Sequence, residues 1–124
     1  MSKDLSEAHI HSGKVMTVNG PIASEKLGIT LMHEHILNDC RCWWHAPKTP
    51  ERQYLAGGFV CIEILGELKQ DPFVNKHNIT LDDEPLAVTE LKAFVAEGGQ
   101  TVVEPTCRGI GRNPLALRRI AKAS

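Results

Sequence analysis

Hydrophobic and polar positions along the chain alternate in short blocks, and their order predicts an α/β protein. The mostly apolar run from Ile29 to His35 predicts a buried strand, and the β-branched run from Thr101 to Val103 predicts another. Between them, apolar residues at i, i+4, i+7 and i+8 from Ala87 predict a helix with one apolar stripe. Gly98 and Gly99 then provide the stop at its C-terminus.

Capping residues indicate where the two predicted helices begin. Asp82 and Asp83 can cap the first helix, and Pro85 suits its first turn. Asn113 can cap a second helix that has Pro114 at its first position. The inner face of this second helix is predicted to consist of three apolar side chains: Leu117, Ile120 and Ala121.

The segments before and between these elements are less regular. A short hairpin is predicted over residues 14–27, because an Asn-Gly-Pro break separates two short runs of strand-forming residues. The segment from about 37 to 81 has no clear period, and one short helix is predicted near Ile62 to Lys69. Residues 1–13 are predicted to be a polar leader.

The order of strand, long loop, helix, strand and helix is typical of a parallel sheet covered by helices. Two parallel strands do not form such a sheet alone, because they are normally buried on both faces within a larger one. A complete barrel of this type takes roughly 250 residues, whereas this chain has 124. We therefore expect residues 1–124 to form a single incomplete domain, the opening of a larger fold.

The composition excludes several classes of partner. The 14 basic and 15 acidic residues give a net charge of -1, with no basic stripe for nucleic acid and no polybasic cluster for a membrane. The N-terminus carries no apolar signal segment, so we expect a cytoplasmic protein. Its four cysteines are then expected to be free thiols, with a soft-metal site at Cys40 and Cys42 as the minor alternative.

The strongest chemical signal is the His33-Glu34-His35 sequence at the end of the first predicted strand. Alternate residues of a strand share one face, so His33 and His35 are predicted to point together, away from Glu34. Two neutral imidazoles side by side form half of a zinc-type site. The alternative is a pair of polar residues bonded to backbone. Residues 9–11 repeat the spacing within the polar leader, so spacing alone does not decide.

Two further features allow more than one interpretation. Glu104, close to the end of the second predicted strand, could assist the histidines, form an ion pair or be solvated. Trp43 and Trp44, in the long loop, could be core anchors or part of a lid over a binding site. The glycine-rich stretch at 109–112 lacks the spacing of a nucleotide-binding loop and is interpreted as a tight turn before Asn113.

Three stretches in this order resemble the phosphotriesterase family of the amidohydrolase superfamily. The first two are VNGPIASEKLGITLMHEHIL, with its His-Glu-His ending, and NITLDDEPLAVTELKAFVAEGG. The third is GGQTVVEPTCRGIGRNPLALRRIAKAS, which is similar to the family's second strand and second helix. The resemblance covers nearly the whole chain from about Lys14 onward.

The resemblance implies the N-terminal part of a (β/α)8 TIM barrel that holds two divalent metals, usually zinc, at the C-terminal ends of its strands. It implies that His33 and His35 bind the more buried metal and that Glu34 faces away from it. In the family, a hydroxide that bridges the metals attacks a phosphoryl or carbonyl centre of a phosphotriester, lactone or carboxylic ester. The long loop would lie on the catalytic face, where Trp43 and Trp44 are candidate substrate-binding residues.

The same resemblance limits what this chain can do by itself. The family's remaining metal ligands lie on later strands, so the 124-residue chain alone is expected to be inactive, and none of its residues is assigned a catalytic role. The complete enzyme is expected to act on a small molecule and to be a homodimer. The alternative is a short non-catalytic α/β module that self-associates or binds a partner through its strand edges, with at most one weak metal site.

Overall fold

A computed structural model describes residues 13–124 and divides them into two compact units. The first unit comprises residues 13–34, 85–104 and 114–124, and the second comprises residues 35–84 and 105–113. The predicted leader, apart from Gly13, and the His-x-His spacing at 9–11 lie outside the described residues. The prediction of a single incomplete domain stays a prediction.

The described chain contains short strands, three α-helices and several 3-10 turns. Its strands are β1 (Lys14–Thr17), β2 (Gly20–Ala23), β3 (Ile29–Leu31), β4 (Asn38–Asp39), β5 (Thr80–Leu81) and β6 (Gly99–Val102). Its α-helices are α1 (Leu65–Gln70), α2 (Glu84–Ala96) and α3 (Pro114–Ala123). None of the helices in this part of the chain is long and apolar enough to cross a membrane.

The first unit begins with the hairpin that the sequence predicts. Strands β1 and β2 pair antiparallel, with Thr17 opposite Gly20 at the turn. The Thr17 hydroxyl donates to the Gly20 carbonyl at 2.7 Å and accepts from the Asn19 amide at 3.1 Å. Gly20 has a φ of 112°, a conformation that a residue with a side chain rarely adopts, so glycine suits this turn.

A parallel strand pair joined through α2 forms the rest of the first unit's framework. Strands β3 and β6 pair in parallel, and α2 lies between them in the chain, as predicted. The helix gives way to β6 at Gly98, which has a φ of 90°. Gly99 lies against the ring of Phe94 so closely that an added Cβ would be 2.2 Å from it. The Gly98-Gly99 stop thus serves both the turn and the packing of helix on strand.

The first predicted strand is shorter than expected. It ends at Leu31 instead of His35. The Val103 amide donates to the Leu31 carbonyl at 2.8 Å, and the Val103 carbonyl accepts from the Glu34 amide at 3.1 Å. A regular parallel ladder has one residue between these two bonds, whereas here both Met32 and His33 lie between them. This bulge ends the regular alternation of faces on which the prediction for the two histidines depended.

The helices confirm the predicted boundaries but bury different residues. In α2 the stripe residues Ala87, Leu91 and Phe94 are half-buried and Val95 is exposed. In α3 the buried residues are Ala116 and Ile120, whereas Leu117 is half-buried and Ala121 is exposed. The prediction that Ala121 lies on the inner face is therefore wrong. Successive residues turn by about 100°, so a face centred between Ala116 and Ile120 leaves Ala121 outside it.

The second unit is the aperiodic segment, and it has a core of its own. Leu55, Leu68 and Val74 are buried together, and two partly buried side chains pack against them: Val60 and Ile64. The short helix predicted near Ile62 to Lys69 is present as a 3-10 turn followed by α1. Near the two ends of this segment, β4 and β5 pair antiparallel.

A buried asparagine connects the turns around this core. Asn75 is fully buried, and its Nδ2 donates to the carbonyls of Leu55 at 2.7 Å and Gly58 at 2.9 Å. Its Oδ1 accepts from the amide of Asn78 at 2.7 Å. These three bonds satisfy backbone groups that no strand or helix satisfies. The segment can therefore lack hydrophobic periodicity and still be packed.

Candidate functional site

One of the two predicted metal ligands is held by a buried threonine that is distant in sequence. His35 is partly buried, and its Nδ1 lies 2.7 Å from the hydroxyl oxygen of Thr106. That hydroxyl, which is 2% exposed, donates to the carbonyl of Leu37 at 3.1 Å. All three residues belong to the second unit. The link spans 71 positions of the chain, so no local sequence pattern indicates it.

This pair of contacts indicates which nitrogen of the imidazole carries the proton. A threonine hydroxyl has one proton, and a carbonyl oxygen can only accept. Because Thr106 gives its proton to Leu37, the contact with His35 requires Nδ1–H to be the donor. The neutral ring then carries its lone pair on Nε2, as in a histidine that binds a metal through Nε2.

The other predicted ligand lies in the first unit. His33 is exposed in the bend that follows β3, and the intervening Glu34 is exposed as well. Within residues 13–124, no three His, Cys, Asp or Glu side chains come together to hold a metal ion. The donor chemistry of His35 fits an imidazole ligand to zinc, but a complete ligand set is not present in these residues. Roles for His33 and His35 as metal ligands stay predictions.

The two tryptophans occupy different environments. Trp44 is partly buried, its Nε1 donates to the Val74 carbonyl at 3.0 Å, and the Lys76 ammonium lies 4.4 Å from its ring centroid. These contacts are those of a structural anchor with a cation–π partner. Trp43 is 55% exposed and meets the edge of Phe73 with ring centroids 5.9 Å apart. A substrate-binding role for either residue stays a prediction.

The sequence reasoning did not identify a charged cavity in the second unit. A cavity of about 250 Å³ is lined on one side by Asp39 and Arg41, and β5 and the loop before α3 contribute to its wall. Arg41 donates to Asp39 from Nε at 2.8 Å, from Nη2 at 2.5 Å and from its amide at 3.1 Å. Hydrogen bonds from Arg41 lower the pKa of the Asp39 carboxyl to about 2. The Asp-x-Arg spacing is the sequence signal that could have indicated this pair.

The tight turn predicted at 109–112 packs against Asp39, which lines this cavity. Gly111 has a φ of 86°, and an added Cβ would lie 3.1 Å from the Cβ of Asp39 and 3.2 Å from its amide nitrogen. A side chain at this position would both strain the backbone and press on β4. The glycine therefore allows the turn before α3 to approach β4 closely.

The cysteines of the chain are free, as predicted. Cys40 is partly buried and the other three are exposed. Burial raises the pKa of the Cys40 thiol, and the neighbouring Cys42, Asp39 and Cys107 raise it further. A raised pKa keeps the thiol protonated and less nucleophilic at neutral pH. Cys40 is therefore poorly suited to act as a nucleophile.

Comparison with known proteins gives consistent matches across the chain. The sequence model of the phosphotriesterase family matches residues 13–124. The phosphotriesterase-related protein of Nematostella vectensis is 37% identical over 116 residues, which cover 91% of this chain and 33% of that protein. The N-acetyltaurine hydrolase of Homo sapiens is 35% identical over 112 residues, which cover 90% of this chain and 32% of that protein. The chain thus spans about a third of the length of these curated relatives.

Solved structures match in the same way. A resiniferatoxin-binding protein from Rhodobacter sphaeroides is 62% identical, with a TM-score of 0.88 over 99% of this chain and 34% of its own. A mutant organophosphorus hydrolase from Deinococcus radiodurans is 25% identical, with a TM-score of 0.51 over 90% of this chain and 26% of its own. These matches confirm the predicted fold class, the N-terminal part of a (β/α)8 TIM barrel, and within residues 13–124 no barrel closes.

Proposed function

The chain belongs to the phosphotriesterase family, and we propose that it forms the N-terminal third of a metal-dependent hydrolase. The observation that carries this proposal is the orientation of His35. Its Nδ1 contacts the hydroxyl of a buried threonine, and Nε2 is the ring nitrogen that we propose for the metal. A solvated strand-end histidine has no need of such support, whereas a ligand histidine commonly donates its other ring N–H to a neighbouring acceptor.

In this proposal His33 and His35 bind one of two divalent ions, zinc in the first instance. Bound zinc supplies a hydroxide nucleophile near neutral pH and polarises the electrophile. The residues of this chain contribute the imidazole lone pairs, and Thr106 keeps the ring of His35 from rotating. The remaining ligands would come from the part of the relatives' length that this chain does not span.

The proposed substrate is a small molecule with an ester, lactone or phosphotriester centre. Each of these groups presents an electrophilic carbonyl or phosphoryl centre to the same nucleophile. A second candidate is an N-acetyl amide, because several relatives that are 34–39% identical are named N-acetyltaurine hydrolases. The two candidates separate in one assay, in which the whole protein is given p-nitrophenyl acetate, a γ-lactone, paraoxon and N-acetyltaurine in parallel.

The decisive experiment begins with the coding DNA beyond codon 124. An open frame that encodes further βα units, with more histidines and a lysine or glutamate at strand ends, supports the proposal. The protein from that frame is then expected to bind two zinc ions per chain and to hydrolyse at least one of the four substrates. The 124-residue chain alone is expected to show no turnover. A native stop codon after Ser124 would contradict the proposal.

The rival proposal, a non-catalytic module, predicts different behaviour for the same chain. It requires a soluble, cooperatively melting species with a defined oligomeric state, in which zinc occupies at most one weak site. The hydrolase proposal instead places the whole protein in the cytoplasm as a homodimer. Size-exclusion chromatography with light scattering on both lengths of chain distinguishes these outcomes.

Trp43 is the better candidate of the two tryptophans for a substrate contact. Its ring is exposed and supported from one side by Phe73, whereas Trp44 is engaged with Val74 and Lys76. In the whole protein, Trp43→Ala is expected to raise the Michaelis constant severalfold and to change kcat little. Tyr54→Ala, which also removes an exposed ring from the second unit, serves as the matched control. Equal Michaelis constants for both variants and the wild type would exclude this role.

A further inference from the structure

We infer that Thr106 is a positioning residue that fixes the ring orientation and the Nδ1–H tautomer of His35, so that Nε2 carries the lone pair. The use of that lone pair for a metal rests on the proposed function. The tautomer itself does not, because it follows from the hydrogen bonds of the metal-free chain. The inference concerns a residue outside the His-x-His sequence.

The environment of Thr106 makes its hydroxyl a stable acceptor. At 2% exposure the side chain has almost no contact with water, so the hydroxyl must find its partners within the protein. Leu37, whose carbonyl takes the proton, is itself buried. A β-branched side chain is restricted at χ1, so the oxygen that faces His35 has little freedom to move away.

The backbone around Thr106 supports the same conclusion. Pro105, directly before it, has a fixed φ, and a 3-10 turn at Arg108–Ile110 follows. That turn is closed by bonds from the amides of Ile110 and Arg112 to the Cys107 carbonyl, both at 3.2 Å. Because Thr106 lies between a proline and a closed turn, its backbone position is restricted, and the hydroxyl that contacts His35 stays in one place.

Neutral histidines exposed to water favour the other tautomer, with the proton on Nε2. Thr106 therefore reverses the ordinary preference of the ring. A residue that only filled space beside His35 would not change which ring nitrogen carries the proton. The position of this proton can be measured in the metal-free chain without any assay of activity.

The first test is the tautomer itself. Long-range 1H–15N NMR of the 15N-histidine-labelled chain at alkaline pH, where imidazoles are neutral, assigns the proton to Nδ1 or Nε2. His35 is assigned from the spectrum of a His35→Gln variant. The wild-type ring is expected to be Nδ1–H. Thr106→Val, which keeps the shape of the side chain, is expected to give Nε2–H, and Thr106→Ser is expected to keep Nδ1–H. An Nε2–H ring in the wild type, or no change in Thr106→Val, would overturn the inference.

A matched control removes a similar hydroxyl elsewhere. Thr101 is partly buried in β6 and donates to the Leu27 carbonyl at 2.6 Å. Thr101→Val is expected to leave the tautomer of His35 unchanged. If it shifts the tautomer as Thr106→Val does, the effect is a general loss of structure and the inference fails. If the valine variant does not fold, the wild-type ring remains decisive, because an Nε2–H ring there overturns the inference by itself.

The second test connects the tautomer with metal binding. In the whole protein, zinc affinity is measured by competition with a chromophoric chelator for the wild type, Thr106→Val, Thr106→Ser and Thr101→Val. Loss of an outer partner of a ligand histidine commonly weakens metal binding by about 10- to 100-fold. We expect about a 10-fold loss in Thr106→Val alone. An unchanged affinity would overturn the positioning role. An Nδ1–H ring in a whole protein that binds no zinc would support the inference and contradict the proposed metal site.

Discussion

The two units of this chain differ in how many apolar side chains they bury. The first unit consists of the elements with the clearest hydrophobic patterns, yet many of its large apolar side chains are exposed, including Ile29, Met32 and Leu115. The second unit has no clear pattern, yet it holds five of the seven buried apolar side chains of the described residues, although Phe59 and Ile62 are exposed in it. Hydrophobic periodicity in the first unit therefore indicates which faces are suited to burial, and many of the apolar side chains on those faces are exposed.

The difference has a physical reason. Parallel strands and their helices bury apolar surface only when neighbouring strands and helices are present on both sides. The first unit has one parallel pair, β3 with β6, so much of its apolar surface stays in contact with water. The second unit relies on a small local core and on side chains that bond to backbone, as Asn75 does. Such a segment needs no sheet to complete it.

The strongest test of this contrast compares two leucine truncations. Leu55→Ala in the second unit is expected to lower the free energy of unfolding by about 3 kcal/mol, because it opens a cavity in a fully buried core. Leu115→Ala in α3 is expected to change it by less than about 0.5 kcal/mol, because this side chain is 70% exposed. Urea denaturation followed by circular dichroism measures both. Equal losses would contradict the contrast.

The polar connections of the second unit provide the next largest effect. Asn75→Ala removes one buried and two partly buried hydrogen bonds and leaves backbone groups unsatisfied, so we expect a loss of about 2 kcal/mol. Asn78→Ala is the matched control, because its side chain makes one exposed bond to the Pro72 carbonyl. The same denaturation experiment is used. A cost at Asn78 as large as that at Asn75 would show that burial of the amide is not what stabilises the segment.

In the first unit, substitution of Gly99 tests how closely α2 packs on β6. Gly99→Ala would place a Cβ within 2.2 Å of the Phe94 ring, and we expect a loss of about 1–2 kcal/mol from overpacking. Gly66→Ala in α1 has nothing within 4 Å and is expected to be neutral or stabilising by about 0.5 kcal/mol. Thermal melting of both variants tests the pair. A stable Gly99→Ala variant would show that Phe94 can turn aside at little cost.

The sequence predicts the elements of the first unit well because their signals are local. Asp82, Pro85 and Gly98 lie within or next to the helix that they delimit, and the structure confirms α2 between them. The end of β3 was not predicted correctly, because the bulge at Met32 and His33 arises from pairing with Val103, which is remote in the chain. Local patterns carry no information about such pairing.

The candidate site follows the same rule. The His-x-His spacing identified His33 and His35, since both lie in one short motif. The support of His35 by Thr106 was missed, because 71 positions separate the two residues. The Asp39–Arg41 pair was missed for another reason. Its Asp-x-Arg spacing is local, but the sequence does not show that Gly111 approaches β4 beside the pair.

The smallest predicted effect concerns the ion pair between Asp39 and Arg41. It tests whether polar side-chain contacts contribute to the stability of the second unit. Hydrogen bonds from Arg41 lower the pKa of Asp39 from 3.8 to about 2. A lowered pKa in the folded state means that the pair's contribution is fully present above pH 3.8 and is lost as the pH falls toward about 2. We expect carbon-detected NMR titration to show the low pKa in the wild type and only a partial rise toward 3.8 in Arg41→Gln, because the backbone amide of residue 41 still donates to the carboxylate. Because both side chains are exposed, the change in stability is expected to be small. An Asp39 pKa that is unchanged by Arg41→Gln would mean that the fold around Gly111, and not the guanidinium, holds the carboxylate.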